Sequence, residues 1–253
     1  MAKKNELAPM GLMDQMFEME GAGATFDSTE MTTPFIRMAQ AMSDEVKKTH
    51  AKFIPGLGAG DIFNNLTHEI WEDGVEVIPC YTNTTYPVFI PEDQGGGFVE
   101  ELSATDPVLQ QTTREGSHEY TPDGNEVIKT DNFMCMVRGN QGMWSPAILD
   151  MKKTSLKTSR RWKSQISIQT VKHPKTGQVA KAPLFANIWK LTTVEETNKQ
   201  GKSYFVYGVT KVGMVEDPQL FEEVKSLYIA SHKGDVKIAA PEQKQKLEEQ
   251  PFS

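Results

Sequence analysis

The basic residues between 152 and 163 are the part of the sequence best suited to bind an anionic ligand. This stretch has six lysines and arginines and no acid, whereas the chain of 253 residues carries a formal net charge of −7. In a helix, four of these cations would share one face at the spacing i, i+4, i+7 and i+8: Lys153, Lys157, Arg160 and Arg161. Solvated helix faces usually mix both signs of charge, and like charges at this spacing repel one another. The pattern therefore predicts a phosphate-binding segment.

The same segment also carries residues suited to packing. Met151, Ser155, Trp162 and Ile166 would lie together on the other helix face. The alternative to a binding role is thus a solvated helix with a buried Trp162. The predicted nucleic-acid contacts of this segment are Lys152, Lys153, Lys157, Arg160, Arg161, Trp162 and Lys163.

Aromatic side chains could form the second part of a binding site for single-stranded nucleic acid. Stacking of a base on an aromatic ring contributes about 1–3 kcal/mol without sequence preference. Tyr81, Tyr86 and Phe89 are candidates in one region, and Trp189, Lys190, Tyr204 and Tyr207 are the predicted contacts in a later hairpin. Any single aromatic is more often a core residue. Tyr204 and Tyr207 should point to opposite faces of a strand, so at least one of them lies off the core.

The C-terminal residues form a third candidate site. A polar segment ends in Glu248, Glu249, Pro251 and Phe252, followed by Ser253. A terminal aromatic ring can enter a partner's pocket while acids face its basic rim. These four residues are predicted to bind a protein partner.

Motifs for catalysis or metal binding are missing from the sequence. Cys80 and Cys135 stand far apart, and the five histidines show no zinc spacing. The glycine run from Gly56 to Gly60 lacks both the final glycine of a dinucleotide loop and the lysine of a Walker loop, so it predicts a turn. We expect no cofactor, no metal and no enzymatic activity. Two alternatives stay open: a metal-dependent nuclease and a virion or scaffold protein.

Composition and hydropathy predict a soluble protein of a reducing cytosol. We expect neither a secretory leader nor a membrane partner, because no sufficiently long apolar run is present. The acidic net charge argues mildly against coating nucleic acid by overall charge, but local clusters of cations decide such binding.

Short β-patterned segments make up most of the chain. Strands are predicted from residue 70 to 90, at 132–137 and 143–151, and in a hairpin formed by 184–194 and 204–215. Residues 101–125 read as a long polar connection. One helix is predicted from Pro218, capped by Asp217. Many strands with few helices predict a mainly β sandwich or barrel.

Three regions follow from this pattern. Residues 1–33 are predicted to be a flexible arm, with a Met-rich contact helix as the alternative. Residues 34–233 form the predicted folded domain. Residues 234–253 have the composition of a disordered tail.

Several segments resemble single-stranded-DNA-binding proteins encoded by tailed bacteriophages. They are Pro34–Arg37, Gly60–Asn64, Val77–Cys80, the basic residues 152–163, and residues 184–192. The resemblance implies an OB-like β-barrel that binds single strands during replication and recombination in the cytoplasm of the infected bacterium. It also implies an acidic tail with a terminal Phe that recruits replication proteins. The chain departs from that pattern, because Phe252 is penultimate and Lys244 and Lys246 dilute the acidity.

Overall fold

The computed structural model describes residues 32–233. The predictions for residues 1–31 and 234–253, including the partner-binding tail, lie outside the described residues. The strands are β1 (Phe35–Met38), β2 (Ile62–Asn64), β3 (Ile70–Trp71), β4 (Val75–Ile90), β5 (Gly97–Ser103), β6 (Thr113–Glu115), β7 (His118–Tyr120), β8 (Glu126–Val127), β9 (Thr130–Arg138), β10 (Trp144–Lys152), β11 (Thr170–Lys172), β12 (Val179–Lys181), β13 (Asn187–Thr197) and β14 (Ser203–Met214). The α-helices are α1 (Leu156–Ser167) and α2 (Pro218–Lys233).

The prediction of a mainly β fold with few helices and a C-terminal helix is confirmed. The hairpin of β13 and β14 is confirmed as well, and so is α2. The Asp217 carboxylate accepts a hydrogen bond from the Gln219 amide at 2.8 Å, as expected of a helix cap.

The long strand β4 organises the sheet. Its first residues pair with β13 on one side and with β9 on the other, both antiparallel. A register shift follows Pro79, which has no amide hydrogen to donate to a ladder. The last residues of β4 pair with β5 and β8 instead. β4 therefore links the main sheet to a group of short strands formed by residues 91–126, which we call the excursion.

The strand connectivity has the order of an OB fold. β4, β9 and β10 form an antiparallel meander, α1 follows, and β13 returns to pair with β4 before β14 pairs with β13. β1 adds to the outer edge of β10 in parallel. Within residues 32–233 no backbone ladder joins β14 to β1, β2 or β10. The backbone pairing thus leaves the sheet open along β14.

A side chain bridges this opening. The Gln40 amide group donates to the Phe205 carbonyl and accepts from the Phe205 amide, each at 2.9 Å. Gly60 lies beside the same ring with φ +95°, and a Cβ added there would lie 2.7 Å from Phe205. The close approach requires glycine for both reasons. β14 is therefore held next to the segments that flank β1 and β2.

The main core lies between the sheet and α1. Trp162 is fully buried, stacks on Phe133 at 4.5 Å between ring centroids and meets the Trp189 ring edge-on at 6.1 Å. Such aromatic pairs stabilise a fold beyond their buried area by about 0.5–1.5 kcal/mol. Trp162 is thus the anchor that fixes α1 to the sheet.

A second core lies under α2. Leu220 and Val224 pack with Ile78, Cys80 and Phe185 on the other side of β4. Cys80 and Cys135 are buried free thiols, and burial raises the pKa of Cys80 to about 12. Neither helix described here has the length and apolar character that a bilayer crossing requires.

Candidate nucleic-acid interface

The basic segment 152–163 is split between three local structures. Lys152 ends β10, residues 153–155 form a 3-10 turn, and α1 begins at Leu156. Lys153 has φ +49°, a left-handed conformation that is uncommon for residues other than glycine. The expectation that Lys153 shares a helix face with Lys157 is therefore wrong. Lys153 instead lies next to Glu126 of β8.

A groove of about 770 Å³ opens beside this turn; we call it the first groove. It runs between the end of β10, the segment after β1 and the start of β14. Its cations are Arg37, Lys152, Lys153 and Lys202, its acids are Glu45 and Asp150, and its aromatic residues are Phe63, Tyr204, Phe205 and Tyr207. Hydroxyl groups of Thr154, Ser155 and Ser203 also line it. Cations, rings and hydroxyls thus face one cleft.

A second groove of about 610 Å³ continues from the first. Both are lined by Arg37, Glu45, Lys152 and Lys153, so these residues form the junction. The second groove adds the aromatic residues Phe89, Phe98 and Tyr120, but it also adds the acids Asp44, Glu92, Asp93 and Glu126. Its larger share of carboxylates makes it less suited to phosphate than the first groove.

The cations at the junction differ in their partners. Lys152 Nζ lies 2.8 Å from Asp150 Oδ2, and Lys153 Nζ lies 3.5 Å from Glu126 Oε1. Arg37 has a buried Nε without a hydrogen-bond partner, and its guanidinium carbon lies 5.6 Å from the Phe35 ring centroid. Among the described residues Arg37 is in no ion pair, whereas Lys152 and Lys153 each face a carboxylate.

The outer face of α1 carries unpaired cations. Lys157, Arg160 and Arg161 are exposed, and in the described chain none of them forms an ion pair. Arg160 Nε donates to the Leu156 carbonyl at 3.3 Å, which leaves its terminal amino groups to solvent. Thr154 and Ser155 line the first groove, so the N-terminal end of α1 lies next to that groove.

Lys163 is turned to the core side of the same helix. Its Nζ lies 2.8 Å from Asp131 Oδ1, and Asp131 is almost fully buried. Asp131 also accepts hydrogen bonds from Thr84 Oγ1 at 2.7 Å and Ser159 Oγ at 2.5 Å. Burial raises the pKa of Asp131, but the bonds from Lys163, Ser159 and Thr84 outweigh it, so the net shift is downward. Lys163 therefore links α1 to β9, and a phosphate would compete with Asp131 for its ammonium group.

The predicted aromatic contacts divide between core and surface. Trp162 and Trp189 are buried in the main core, and Tyr207 is 6% exposed, so none of these rings can stack on a base in this conformation. Burial raises the pKa of Tyr207, and the Asp150 charge adds to this shift. Tyr204 is partly exposed, and its hydroxyl donates to Glu196 at 2.9 Å. Tyr204 is the predicted ring that faces the first groove, and Lys190 is half-buried on β13.

Sequence reasoning missed several lining residues, among them Arg37, Lys202, Phe205 and Phe98. Lys202 and Phe205 flank Tyr204, so their place next to a predicted contact could have indicated them. Arg37 carries no local signal, because it reaches the groove only through the pairing of β1 with β10.

No group of three or more His, Cys, Asp or Glu residues between 32 and 233 is placed to hold a metal ion.

Comparison with known proteins gives one match. The model of the family described as Pam3 phage gp34-like protein matches residues 2–237. No curated protein and no solved structure matches the chain.

Proposed function

The chain belongs to the Pam3 phage gp34-like protein family and is thus a bacteriophage protein, and from this premise we propose that it binds single-stranded DNA without sequence preference and without catalysing a reaction. Its role is to protect and organise single strands during phage replication and recombination, in the cytoplasm of the infected bacterium. Replication or recombination proteins are the partners proposed for Glu248, Glu249, Pro251 and Phe252.

The first groove is the observation that carries this proposal. It combines cations at Arg37, Lys153 and Lys202 with the partly exposed rings of Tyr204 and Phe205. Cations neutralise phosphates, and rings stack on bases of any sequence. In duplex DNA the bases are already stacked inside, so the rings have no base to bind. This combination favours single strands over duplex.

The charge distribution supports a path for the phosphate backbone beyond the groove. Residues 151–194 contain ten lysines and arginines and no acid. Lys157, Arg160 and Arg161 on α1 extend the cations of Lys152 and Lys153 away from the groove mouth. Each neutralised phosphate releases bound counterions, which drives association at low salt.

The first experiment is a fluorescence-anisotropy titration of a labelled oligothymidine, with a blunt duplex as control. A label on the DNA is preferred because Trp71, Trp162 and Trp189 are buried, and the partly exposed Trp144 lines neither groove. We expect tight binding of the single strand, weaker binding of the duplex, and a log K that falls with log salt by about 0.7 per neutralised phosphate.

Lack of binding at low salt would refute the proposed function. Cleavage of the oligonucleotide with added Mg²⁺ would then indicate the nuclease alternative, and self-assembly without DNA would indicate a scaffold. An oligouridine in the same titration decides between DNA and RNA, because recognition of RNA rests on contacts with the 2′-hydroxyl.

A further inference from the structure

The hairpin of β11 and β12 is a basic projection that the groove does not use. The two strands pair with each other over Thr170–Lys181, Val171–Ala180 and Lys172–Val179, and form a sheet of their own. All residues from 170 to 181 are exposed except Val171, which is half-buried. The hairpin thus has no core of its own and stands out from the main sheet.

Hydrogen bonds nevertheless fix the shape of this hairpin. At its tip, His173 Nδ1 accepts from the Lys175 amide at 3.3 Å and from the Thr176 amide at 3.2 Å. At its base, the Ala182 amide donates to the Gln169 carbonyl at 2.9 Å, and Lys211 Nζ donates to Gln169 Oε1 at 2.7 Å. An isolated two-stranded hairpin is marginal in water, so these bonds maintain an arm whose surface is otherwise unsupported.

The arm carries three cations and a single small ring, that of His173. Lys172, Lys175 and Lys181 are exposed, and no ion pair is formed by any of them in the part of the chain that the structure describes. The hairpin contains no Phe, Tyr or Trp. Such a surface binds mainly phosphates and sugars and gains little from unstacked bases. It is therefore suited to duplex, and a two-stranded β-ribbon has the width that a major groove admits.

The arm and the first groove lie at opposite ends of α1. Ser155, next to the start of α1, lines that groove, and the hairpin begins three residues after α1 ends. The 12 residues of α1 span about 18 Å, at about 1.5 Å per residue. Lys157, Arg160 and Arg161 lie between the two ends. A nucleic acid that leaves the groove can thus follow cations to the arm.

We infer that the β11–β12 hairpin binds the duplex that adjoins a single strand held in the first groove, so that the protein recognises a single-strand/duplex junction. The inference rests on the proposed function, because a strand bound in the groove tethers the duplex near the arm. Two or three lysines bind duplex weakly by themselves, but tethering raises the effective concentration of the duplex to the point where they contribute.

The test compares two substrates and two variants. One substrate is an oligothymidine of about 15 nucleotides, within the range covered by one OB fold; the other carries the same oligothymidine as the overhang of a duplex. The variants are Lys172→Gln with Lys175→Gln in the arm, and Lys225→Gln with Lys233→Gln on α2 as the matched control. Both variants lose two exposed lysines, so the change in net charge is the same.

We expect the natural protein to bind the overhang substrate about tenfold more tightly than the oligothymidine, with a salt slope steeper by about 1.8 for two added phosphate contacts. The arm variant should lose this difference and bind the oligothymidine within about twofold of the natural protein. The control variant should keep both affinities. Circular dichroism and thermal unfolding check that both variants fold.

Three results would overturn the inference. First, the natural protein could bind both substrates with equal affinity. Second, the arm variant could retain the preference for the junction. Third, the arm variant could bind both substrates more weakly to the same extent, which would make the arm part of the single-strand path. A natural protein that binds neither substrate would refute the proposed function itself, and that outcome is distinct from all three.

Discussion

Residues 91–126 and residues 151–194 are opposites in charge. The first region has nine acids and one arginine, and the second has ten cations and no acid. The first forms the excursion of β5 to β8 around a small cluster of Val88, Leu102 and Val127. The second contains α1 and the β11–β12 hairpin. The net charge of −7 averages over both, so it describes neither surface.

The two regions meet at one ion pair. Lys153 belongs to the basic region and Glu126 to the acidic one, and their charged atoms lie 3.5 Å apart at the junction of the two grooves. A nucleic acid in the first groove would thus be guided by cations on one side and kept from the excursion by carboxylates on the other.

The largest expected effect comes from reversing charge in the basic region. Arg160→Glu with Arg161→Glu changes four charge units on the exposed face of α1, each worth about 1 kcal/mol against a phosphate about 4 Å away in water. We expect the affinity for oligothymidine to fall by about a hundredfold or more. The salt slope should flatten by about 1.4, and both quantities can be read from anisotropy titrations.

The matching change in the acidic region separates local charge from overall charge. Glu100→Lys with Glu101→Lys alters the net charge by the same amount in the opposite direction, at two exposed positions of β5. If local cations decide binding, the affinity of this variant for oligothymidine should stay within about threefold of that of the natural protein. A gain as large as the loss at Arg160 and Arg161 would show that overall charge governs affinity, and would contradict the assigned surface.

The next effect is on stability. Asp131→Asn removes the buried carboxylate that holds Lys163 and Ser159 of α1, and hydrogen bonds to a charged group contribute about 1.5–3 kcal/mol. Since Lys163 is partly exposed, we expect a loss of about 2 kcal/mol in the free energy of unfolding, measured with urea. Glu222→Gln, which breaks the surface pair with Lys225, is the control and should cost under about 0.5 kcal/mol.

The pH dependence of this pair has a defined sign. The pKa of Asp131 is lower in the folded state than its ordinary value, so the carboxylate stabilises the fold above the unfolded pKa of about 3.9. This contribution is lost as the pH falls through the folded pKa. The difference between the natural protein and Asp131→Asn should therefore shrink below about pH 4. A difference that stays constant to lower pH would contradict the assignment.

A smaller effect is expected from the ring that faces the first groove. Tyr204→Ala removes a stacking surface worth about 1–3 kcal/mol, so the affinity for oligothymidine should fall by about tenfold. Tyr204→Phe keeps the ring and loses the bond to Glu196, and it should bind like the natural protein. Equal losses in both variants would mean that the hydroxyl, not the ring, supports binding.

The smallest effect should come from the C-terminus. Deletion of residues 242–253 removes the predicted partner-binding residues Glu248, Glu249, Pro251 and Phe252. We expect oligothymidine affinity to change by less than about twofold, because the cations and rings of the first groove are untouched. Pull-down from infected cells should lose any replication partner. A large loss of affinity for the oligonucleotide would contradict a tail that acts on proteins.

Sequence patterns predicted which main strands and helices form, but not where each of them begins and ends. Alternation placed β4, β9, β10 and the hairpin of β13 and β14, and Asp217-Pro218 marked the start of α2. The 3-10 turn at 153–155 was missed, because helical spacing of cations cannot reveal a left-handed residue at Lys153. The three-residue strands β6 and β7 were missed for a related reason, since short polar strands carry little periodicity.

The sequence by itself determined the mainly β class, the chemistry of the basic segment and the presence of aromatic side chains near it, because these depend on residue type and local spacing. The tertiary structure decided which of those side chains can reach a ligand. Trp162 and Trp189 point into the core and Lys163 pairs with the buried Asp131, while Arg37 and Phe205 join Tyr204 in the groove. Contacts such as β1 with β10 and Gln40 with Phe205 connect residues more than a hundred positions apart. No local pattern specifies such pairs, since they arise from packing of the whole chain.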